Sequence, residues 1–354
     1  MDTNGTAFRI LCAIGLFFLV QFFYVFSKVE RLDEGKLTLE AEVLMLERKR
    51  DLMRTKLNDL ERETYRSEKK LQSVENRLRD HLKLLGSSSD KMPMIYFVTP
   101  THFRPSQRAD LTRLSQTLAQ VPNLHWIVVE DADSTSSSVA EVIKRVKLPY
   151  THVNAKTPTD MKMKYEDPSW KLPRGVAQRN VALAWIRRQF ASLKRGVVYF
   201  GDDDNTYDWR LFSEMRAIDR VGIWPVGIVG GLLAETPILA ANGSVVGFNA
   251  VWKPERPFPI DMAAFAVNIS LVVEHPDAGF DYSVPRGFQE SHFLTSLGLA
   301  PRDLEPKADH CTKVYVWHTR TEKSVLPKAV AEKVKSHADG DFTELEADAL
   351  GIDL

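Results

Sequence analysis

The sequence predicts an α/β body with a largely parallel sheet, carried behind a membrane anchor and a coiled-coil stem. Three observations lead there. Residues 94–153 alternate short β-branched runs with amphipathic helical patterns, residues 197–205 read as a buried strand running straight into carboxylates, and residues 10–85 pass from an apolar run into a heptad repeat.

The anchor comes first. Residues 10–26 are interrupted by a single polar side chain, Gln21, and just reach the length of a spanning helix. The run is too long and too rich in Phe for a cleaved signal, and no small-x-small site follows. An uncleaved signal-anchor with residues 1–9 cytosolic and the body lumenal is the simplest topology, and a short span suits the thinner membranes of the early secretory pathway. Residues 29–85 keep one heptad register, with Val29, Val43, Leu57, Leu71, Leu78 and Leu85 at a positions and Leu32, Leu39, Leu46, Met53, Leu60 and Val74 at d. Lys36 and Arg50 at a positions favour a two-stranded parallel coil, since two strands let a long charged side chain reach water. Gly-Ser-Ser-Ser-Asp at 86–90 ends the helix and links to the body.

Within the body, residues 94–99 read as a first strand, 106–120 as a helix, 124–130 as a second strand ending in Glu130-Asp131, 139–146 as a helix and 150–153 as a third strand. Such a series packs as a parallel sheet with helices on its faces. It lacks a Gly-x-Gly-x-x-Gly or Walker sequence, so phosphates would have to be met by a metal and basic side chains. Residues 155–174 form a polar loop, and 175–190 a helix with Arg174 and Arg179 at its start. Cations there oppose the helix dipole, so either a bound anion or simple solvation accounts for them.

The strand at 197–200 is followed by Asp202, Asp203 and Asp204. Ligands of open α/β sheets lie at the carboxyl ends of the strands. Three adjacent carboxylates repel one another, and a hard divalent cation that also holds a diphosphate would compensate them; a solvated acidic turn is the plainer alternative. Beyond it, residues 208–219 read as a helix, 221–229 and 245–251 as strands, and 252–261 as a Pro-rich loop holding an exposed-looking Trp252. A helix opens at 287 with Glu290 in its first turn, where a Glu ordinarily serves the dipole. Residues 304–307 and 314–319 form a final strand ending at His318 and Arg320, and 328–354 read as a loose acidic tail.

Composition excludes other classes. Lys and Arg number 47 against 47 Asp and Glu, so nothing points to a nucleic-acid partner. Of the two cysteines, Cys12 lies in the apolar run and Cys311 in the body, which leaves no disulfide framework or Cys-rich zinc site.

Five stretches occur in one order: Tyr-Phe-Gly-Asp-Asp-Asp-Asn-Thr-Tyr at 199–207, Trp-Pro-Val-Gly-Ile-Val-Gly-Gly at 224–231, Arg-Pro-Phe-Pro-Ile-Asp-Met at 256–262, Asp-Leu-Glu-Pro-Lys at 303–307 and Trp-His-Thr-Arg-Thr-Glu-Lys at 317–323. Together they make residues 94–327 resemble the animal β-1,3-glucuronosyltransferases. The resemblance implies a GT-A fold, with a Rossmann-like donor half over 91–205, a mixed-sheet acceptor half over 206–327, and a type II Golgi organisation with 10–27 as anchor and 28–90 as stem and linker. It implies inverting transfer of glucuronate from UDP-glucuronate to the 3-hydroxyl of a terminal β-galactose, in the Gal-Gal-Xyl linker of proteoglycans or on N-acetyllactosamine. It also implies a homodimer and Mn²⁺.

On the matching positions, Asp204 would ligate Mn²⁺, with Asp202 and Asp203 near metal-bound water, ribose or donor sugar. Pro100, His102 and Asp131 would surround uracil and ribose, although relatives often carry Tyr at the place of His102. Arg174, Arg179, His318 and Arg320 would meet the diphosphate and the glucuronate carboxylate, Glu290 would be the base, and Glu235, Trp252, Arg256 and Asp261 would bind the acceptor. Asn242 and Asn268 stand in lumenal glycosylation sequons. A tethered lectin on an inactive transferase fold, or a metal-dependent sugar-nucleotide hydrolase, are the competing readings from other classes.

Overall fold

The computed structural model describes residues 3–86, 92–163, 167, 171–193, 195–322, 324–336 and 342–352. Two compact units result, divided between Ser87 and Ser88. The predicted linker at 87–90 lies outside the described residues.

The first unit is one helix, α1 (Thr3–Gly86). Its segment Leu11–Val29 has a mean hydropathy of 1.8, long and apolar enough to cross a membrane. Farther along, Leu39, Val43, Leu46, Met53, Leu57 and Leu60 stand exposed on this single chain. The side chains of the predicted heptad positions at 32 and from 71 onward lie outside the described residues.

The second unit opens with the predicted alternation: β1 (Met94–Thr101), α2 (Gln107–Leu118), β2 (Leu124–Glu130), α3 (Ser137–Arg145), β3 (Tyr150–Asn154), α4 (Val176–Gln189) and β4 (Gly196–Phe200). All four strands are parallel, with β1 central between β2 and β4. Buried β-branched and aromatic side chains from Ile95 to Val98 and from Val197 to Phe200 explain why these runs form inner strands covered on both faces.

Then come β5 (Thr206–Tyr207), α5 (Trp209–Glu214), β6 (Val221–Ile223), β7 (Val226–Val229), β8 (Leu232–Leu239), β9 (Val245–Asn249), β10 (Phe265–Asn268), α6 (Ile269–Glu274), α7 (Gln289–Ser296), β11 (Leu304–Pro306) and β12 (Val316–Trp317). Among the described residues a seven-stranded sheet runs β11-β6-β10-β4-β1-β2-β3 and a five-stranded sheet β5-β12-β7-β8-β9. Insertion of β10 antiparallel between β4 and β6 makes the large sheet mixed.

Three expectations need correction. The predicted strand 221–229 is two strands in different sheets. It breaks at Trp224-Pro225, where Pro lacks the N–H a continuous ladder needs and the Trp224 indole donates to the Ala263 carbonyl at 2.8 Å. The predicted final strand is likewise split: β11 joins the large sheet and β12 the small one. Between them the backbone reverses through four successive non-glycine residues with positive φ, Ala308 to Cys311. Nor is the acidic tail without regular structure where it is described, at 328–336 and 342–352. Helices Lys328–Lys335 and Glu344–Leu350 form, the second opened by a Thr343/Glu346 capping box and held against the body by Arg108, whose Nη1 lies 2.7 Å from Asp348 Oδ1.

Candidate active site

The Asp triplet leaves β4 through Gly201, which lies so close under Phe97 that a Cβ would sit 2.1 Å from its ring. The three carboxylates then face different surroundings. Asp202 Oδ1 accepts from Arg179 Nη2 at 2.7 Å. Asp203 is buried and paired: Oδ1 accepts from Arg104 Nη2 at 2.7 Å, and Oδ2 from Thr101 Oγ1 at 2.7 Å and Arg104 Nη1 at 3.0 Å. Asp204 has no carboxylate ion pair among the described residues; its backbone carbonyl accepts from Thr319 Oγ1 at 2.7 Å and from Arg113 Nη2 at 3.3 Å. Burial, and then the charges of Asp202 and Asp203, raise the Asp204 pKa. Asp204 is thus the carboxylate of the triplet that no protein cation pairs with among the described residues.

Among the described residues no group of three His, Cys, Asp or Glu side chains is placed to hold a metal. One unneutralised carboxylate is instead the donor set of a divalent ion shared with a diphosphate, where most ligands are water and phosphate oxygen. The site fits that arrangement.

On the donor side, β1 runs on through Pro100 to Thr101, and Asp131 follows β2 with its oxygens held by the Thr157 N–H and Oγ1, both at 2.7 Å. His102 stands exposed at the rim, in the field of Arg104, Asp203, Arg174 and Asp131. Arg179 folds back over the start of its own helix, donating from Nη1 to the Arg174 carbonyl at 2.9 Å. Gly175 makes room: its φ is +74°, and a Cβ would lie 2.4 Å from Arg179 Nη1.

Across the site, His318 follows β12 and its Nδ1 lies 2.9 Å from Asp261 Oδ2. Burial alone would lower the His318 pKa, but the hydrogen bond and charge of Asp261, with Asp202 beyond, raise it to about 9. Asp261 Oδ1 accepts from Ala263 N at 2.9 Å, so both oxygens of this predicted acceptor ligand are engaged within the protein. Arg320 is exposed, its Nε 3.4 Å from His318 Nε2.

Glu290, in the first turn of α7, does more than serve the helix dipole. Oε2 is buried without a hydrogen-bond partner and lies 3.9 Å from Arg256 Nη1. Burial, then the charge of Asp261, lifts its pKa to about 7. Arg179 also acts on it, which ties Glu290 to the cluster around Asp202. Arg256 is held by backbone carbonyls, with Nη1 2.8 Å from Gly287 O and Nε 3.1 Å from Lys253 O. Trp252 packs over Gly287, whose Cβ would fall 1.9 Å from two ring carbons, and the Arg256 guanidinium lies 5.1 Å from its centroid. Glu235 on β8 is buried and raised to about 7 by burial and Asp261. The interactions among Asp202, Arg179, Glu290, Asp261, Glu235, Arg256 and His318 bring the predicted donor and acceptor residues into one site. Arg104, Thr101 and Asp110 were not singled out from sequence. The signal available was a cation four residues beyond Pro100, on the loop after a strand neighbouring the triplet.

The sequons lie apart from this site. Asn242 is exposed in the β8–β9 turn, whereas Asn268 caps α6, with Oδ1 3.0 Å from Ser270 N and Nδ2 donating to the Ile218 carbonyl at 3.2 Å.

A mixed α/β body with an acidic triplet at a strand end, clustered cations and a buried carboxyl lifted toward neutrality has the make-up of an enzyme's group-transfer site. The model of glycosyltransferase family 43 matches residues 114–322, and the chain belongs to that family. It is 56% identical over 345 residues to a galactosylgalactosylxylosylprotein 3-beta-glucuronosyltransferase of Caenorhabditis elegans, covering 98% of this chain and 96% of that one. Identity to the Drosophila melanogaster galactosylgalactosylxylosylprotein 3-beta-glucuronosyltransferase I is 51% over 252 residues, 70% and 82% of the two chains. With Homo sapiens galactosylgalactosylxylosylprotein 3-beta-glucuronosyltransferase 1 it is 50% over 241 residues, 67% and 72%.

Proposed function

We propose that this protein transfers glucuronate from UDP-glucuronate to the 3-hydroxyl of the terminal galactose in the Gal-Gal-Xyl linker of proteoglycans, with inversion. The observation that carries the chemistry is Glu290: a buried carboxyl with an unpartnered oxygen and a pKa of about 7, in the same cluster as the Asp triplet. The linker as acceptor rests on the relatives' activity.

As the galactose O3 attacks the anomeric carbon, the bond from that carbon to the diphosphate oxygen breaks and Glu290 Oε2 takes the hydroxyl proton. A base whose pKa lies near the working pH is suited to that transfer. His318, protonated because Asp261 holds it, meets the diphosphate together with Arg320 and Arg174. Arg179 holds Asp202 in place and extends its field toward the glucuronate carboxylate. Asp204 is the residue to hold Mn²⁺, which supplies Lewis-acid stabilisation to the departing UDP when bound. Pro100, His102 and Asp131 frame the nucleoside. Trp252 offers a ring face to the acceptor sugar, Glu235 a hydroxyl partner, and Arg256 fixes the loop carrying Trp252.

The parallel donor half followed by mixed strands supports the GT-A reading, with a donor half over 91–205 and an acceptor half over 206–327 that also lends His318 and Arg320 to the diphosphate. We place the apolar segment of α1 across the Golgi membrane with the body lumenal, and pair two chains along the exposed Leu, Val and Met of the stem. Donor choice tests the proposal: with Mn²⁺ and a Gal-Gal-Xyl acceptor, UDP-glucuronate should give a β-1,3-linked product and UDP-glucose or UDP-N-acetylglucosamine should not. Equal use of a neutral UDP-sugar would refute recognition of the carboxylate.

A further inference from the structure

Arg104 holds no role in the reaction as derived above, yet it lies at the centre of a heavily bonded charge network in the donor half. Its Nη2 lies 2.7 Å from Asp203 Oδ1 and 2.8 Å from Asp110 Oδ2, and its Nη1 3.0 Å from Asp203 Oδ2. The Asp110 side chain is only 2% exposed. Its Oδ2 also accepts from Ser106 Oγ at 2.9 Å, and its Oδ1 from Arg113 Nη2 at 3.2 Å and from Thr321 Oγ1. Thr321 lies two residues beyond Thr319, which holds the Asp204 carbonyl, and Arg113 Nη2 reaches the same carbonyl at 3.3 Å.

These contacts close a ring. From Asp203 it passes through Arg104 and Asp110 to Thr321, and through Thr319 back to Asp204, with Arg320 carried between the two threonines. A guanidinium suits the first step because its planar fork meets both oxygens of one carboxylate and one of another from two fixed nitrogens, where an ammonium has only one.

We propose that Arg104 and Asp110 are positioning residues of the donor site. Arg104 takes up the charge of Asp203, so that Asp204 is the single carboxylate of the triplet presented to a cation. Asp110, through Thr321, sets the segment that carries Arg320 toward the diphosphate. The proposal rests on the reading of Asp204 as metal ligand, and its test separates the two.

The experiment measures UDP affinity of the full chain by calorimetry, in Mn²⁺ and in EDTA, for wild type, Arg104→Lys and Thr321→Val. Wild type should bind UDP more tightly with Mn²⁺. Arg104→Lys should lose most of that metal-dependent gain, by about tenfold or more, while binding in EDTA stays within about threefold. Thr321→Val, which removes one surface-side hydroxyl and leaves the Asp203 pair intact, should weaken binding in EDTA and keep the Mn²⁺ gain. In steady state, Arg104→Lys should raise the donor KM with acceptor KM unchanged. Equal weakening with and without Mn²⁺ in Arg104→Lys, or unchanged affinity in both variants, would overturn the proposal. Absence of any Mn²⁺ gain in wild type would instead refute the metal reading of Asp204.

Discussion

Glu290 Oε2 lies 3.9 Å from Arg256 Nη1, too far for a hydrogen bond and close enough for attraction. Arg256 donates its N–H groups to backbone carbonyls instead, so the carboxyl oxygen keeps an open lone pair. That is the condition a general base must satisfy before its substrate arrives.

Glu290→Gln should therefore reduce kcat by about 10²–10⁴-fold with little change in donor affinity. In wild type kcat/KM should rise with pH through about 7 as Glu290 ionises. The sign for stability is opposite. With the folded pKa raised from 4.5 to about 7, the stabilisation from this group is complete below 4.5 and is lost as pH rises through about 7. Glu290→Gln should then have a higher Tm than wild type near pH 8, and not near pH 4.5. A Glu235→Gln variant should keep the kinetic limb and raise the acceptor KM.

Asp261→Asn tests whether this residue acts on the acceptor or on His318. Loss of its charge should let the His318 pKa fall from about 9 toward 6.5, so UDP binding should weaken above about pH 7 and remain near wild type below pH 6. A raised acceptor KM with unaltered UDP binding across that range would assign Asp261 to the acceptor.

Two glycines probe the halves separately. At Gly175 an Ala would meet Arg179 Nη1 at 2.4 Å in a left-handed conformation, so Gly175→Ala should raise the donor KM and lower stability by about 1 kcal/mol or more. At Gly287, with φ +80°, an Ala would strike the Trp252 ring at 1.9 Å. Gly287→Ala should raise the acceptor KM and leave UDP affinity unchanged, as calorimetry and steady-state kinetics can show.

Glycan occupancy should follow exposure. Expressed in animal cells, the full chain should carry one N-glycan, at Asn242, removed by Asn242→Gln. Ser270→Ala, which breaks the second sequon and leaves the Asn268 cap in place, should not change the mobility. A shift on Ser270→Ala would show that Asn268 leaves its bond to Ile218 during maturation.

The donor half was legible because each signal is local. Buried strands such as Ile95–Val98 and Val197–Phe200 are short β-branched and aromatic runs, and the triplet abuts its strand. The division of labour within the triplet was not legible, because the cation that pairs with Asp203 lies 99 residues earlier. Three adjacent carboxylates need compensation, and the protein itself supplies Arg104 and Arg179 for two of them. Trp224-Pro225 marks a break that hydrophobicity alone hides, and the Thr343…Glu346 pair is a readable capping box within the acidic tail. β8, with an internal Pro237, and β10, four residues long, had too weak a period to be read as strands.

Glucuronosyl transfer through Glu290 is tested most directly by offering this chain Gal-Gal-Xyl and N-acetyllactosamine side by side, with UDP-glucuronate and Mn²⁺, as wild type and as Glu290→Gln. The account predicts β-1,3-glucuronosylated Gal-Gal-Xyl as the preferred product, nearly abolished in Glu290→Gln while UDP still binds. UDP release without glycoside, acceptor binding without turnover, or a fully active Glu290→Gln variant would contradict it.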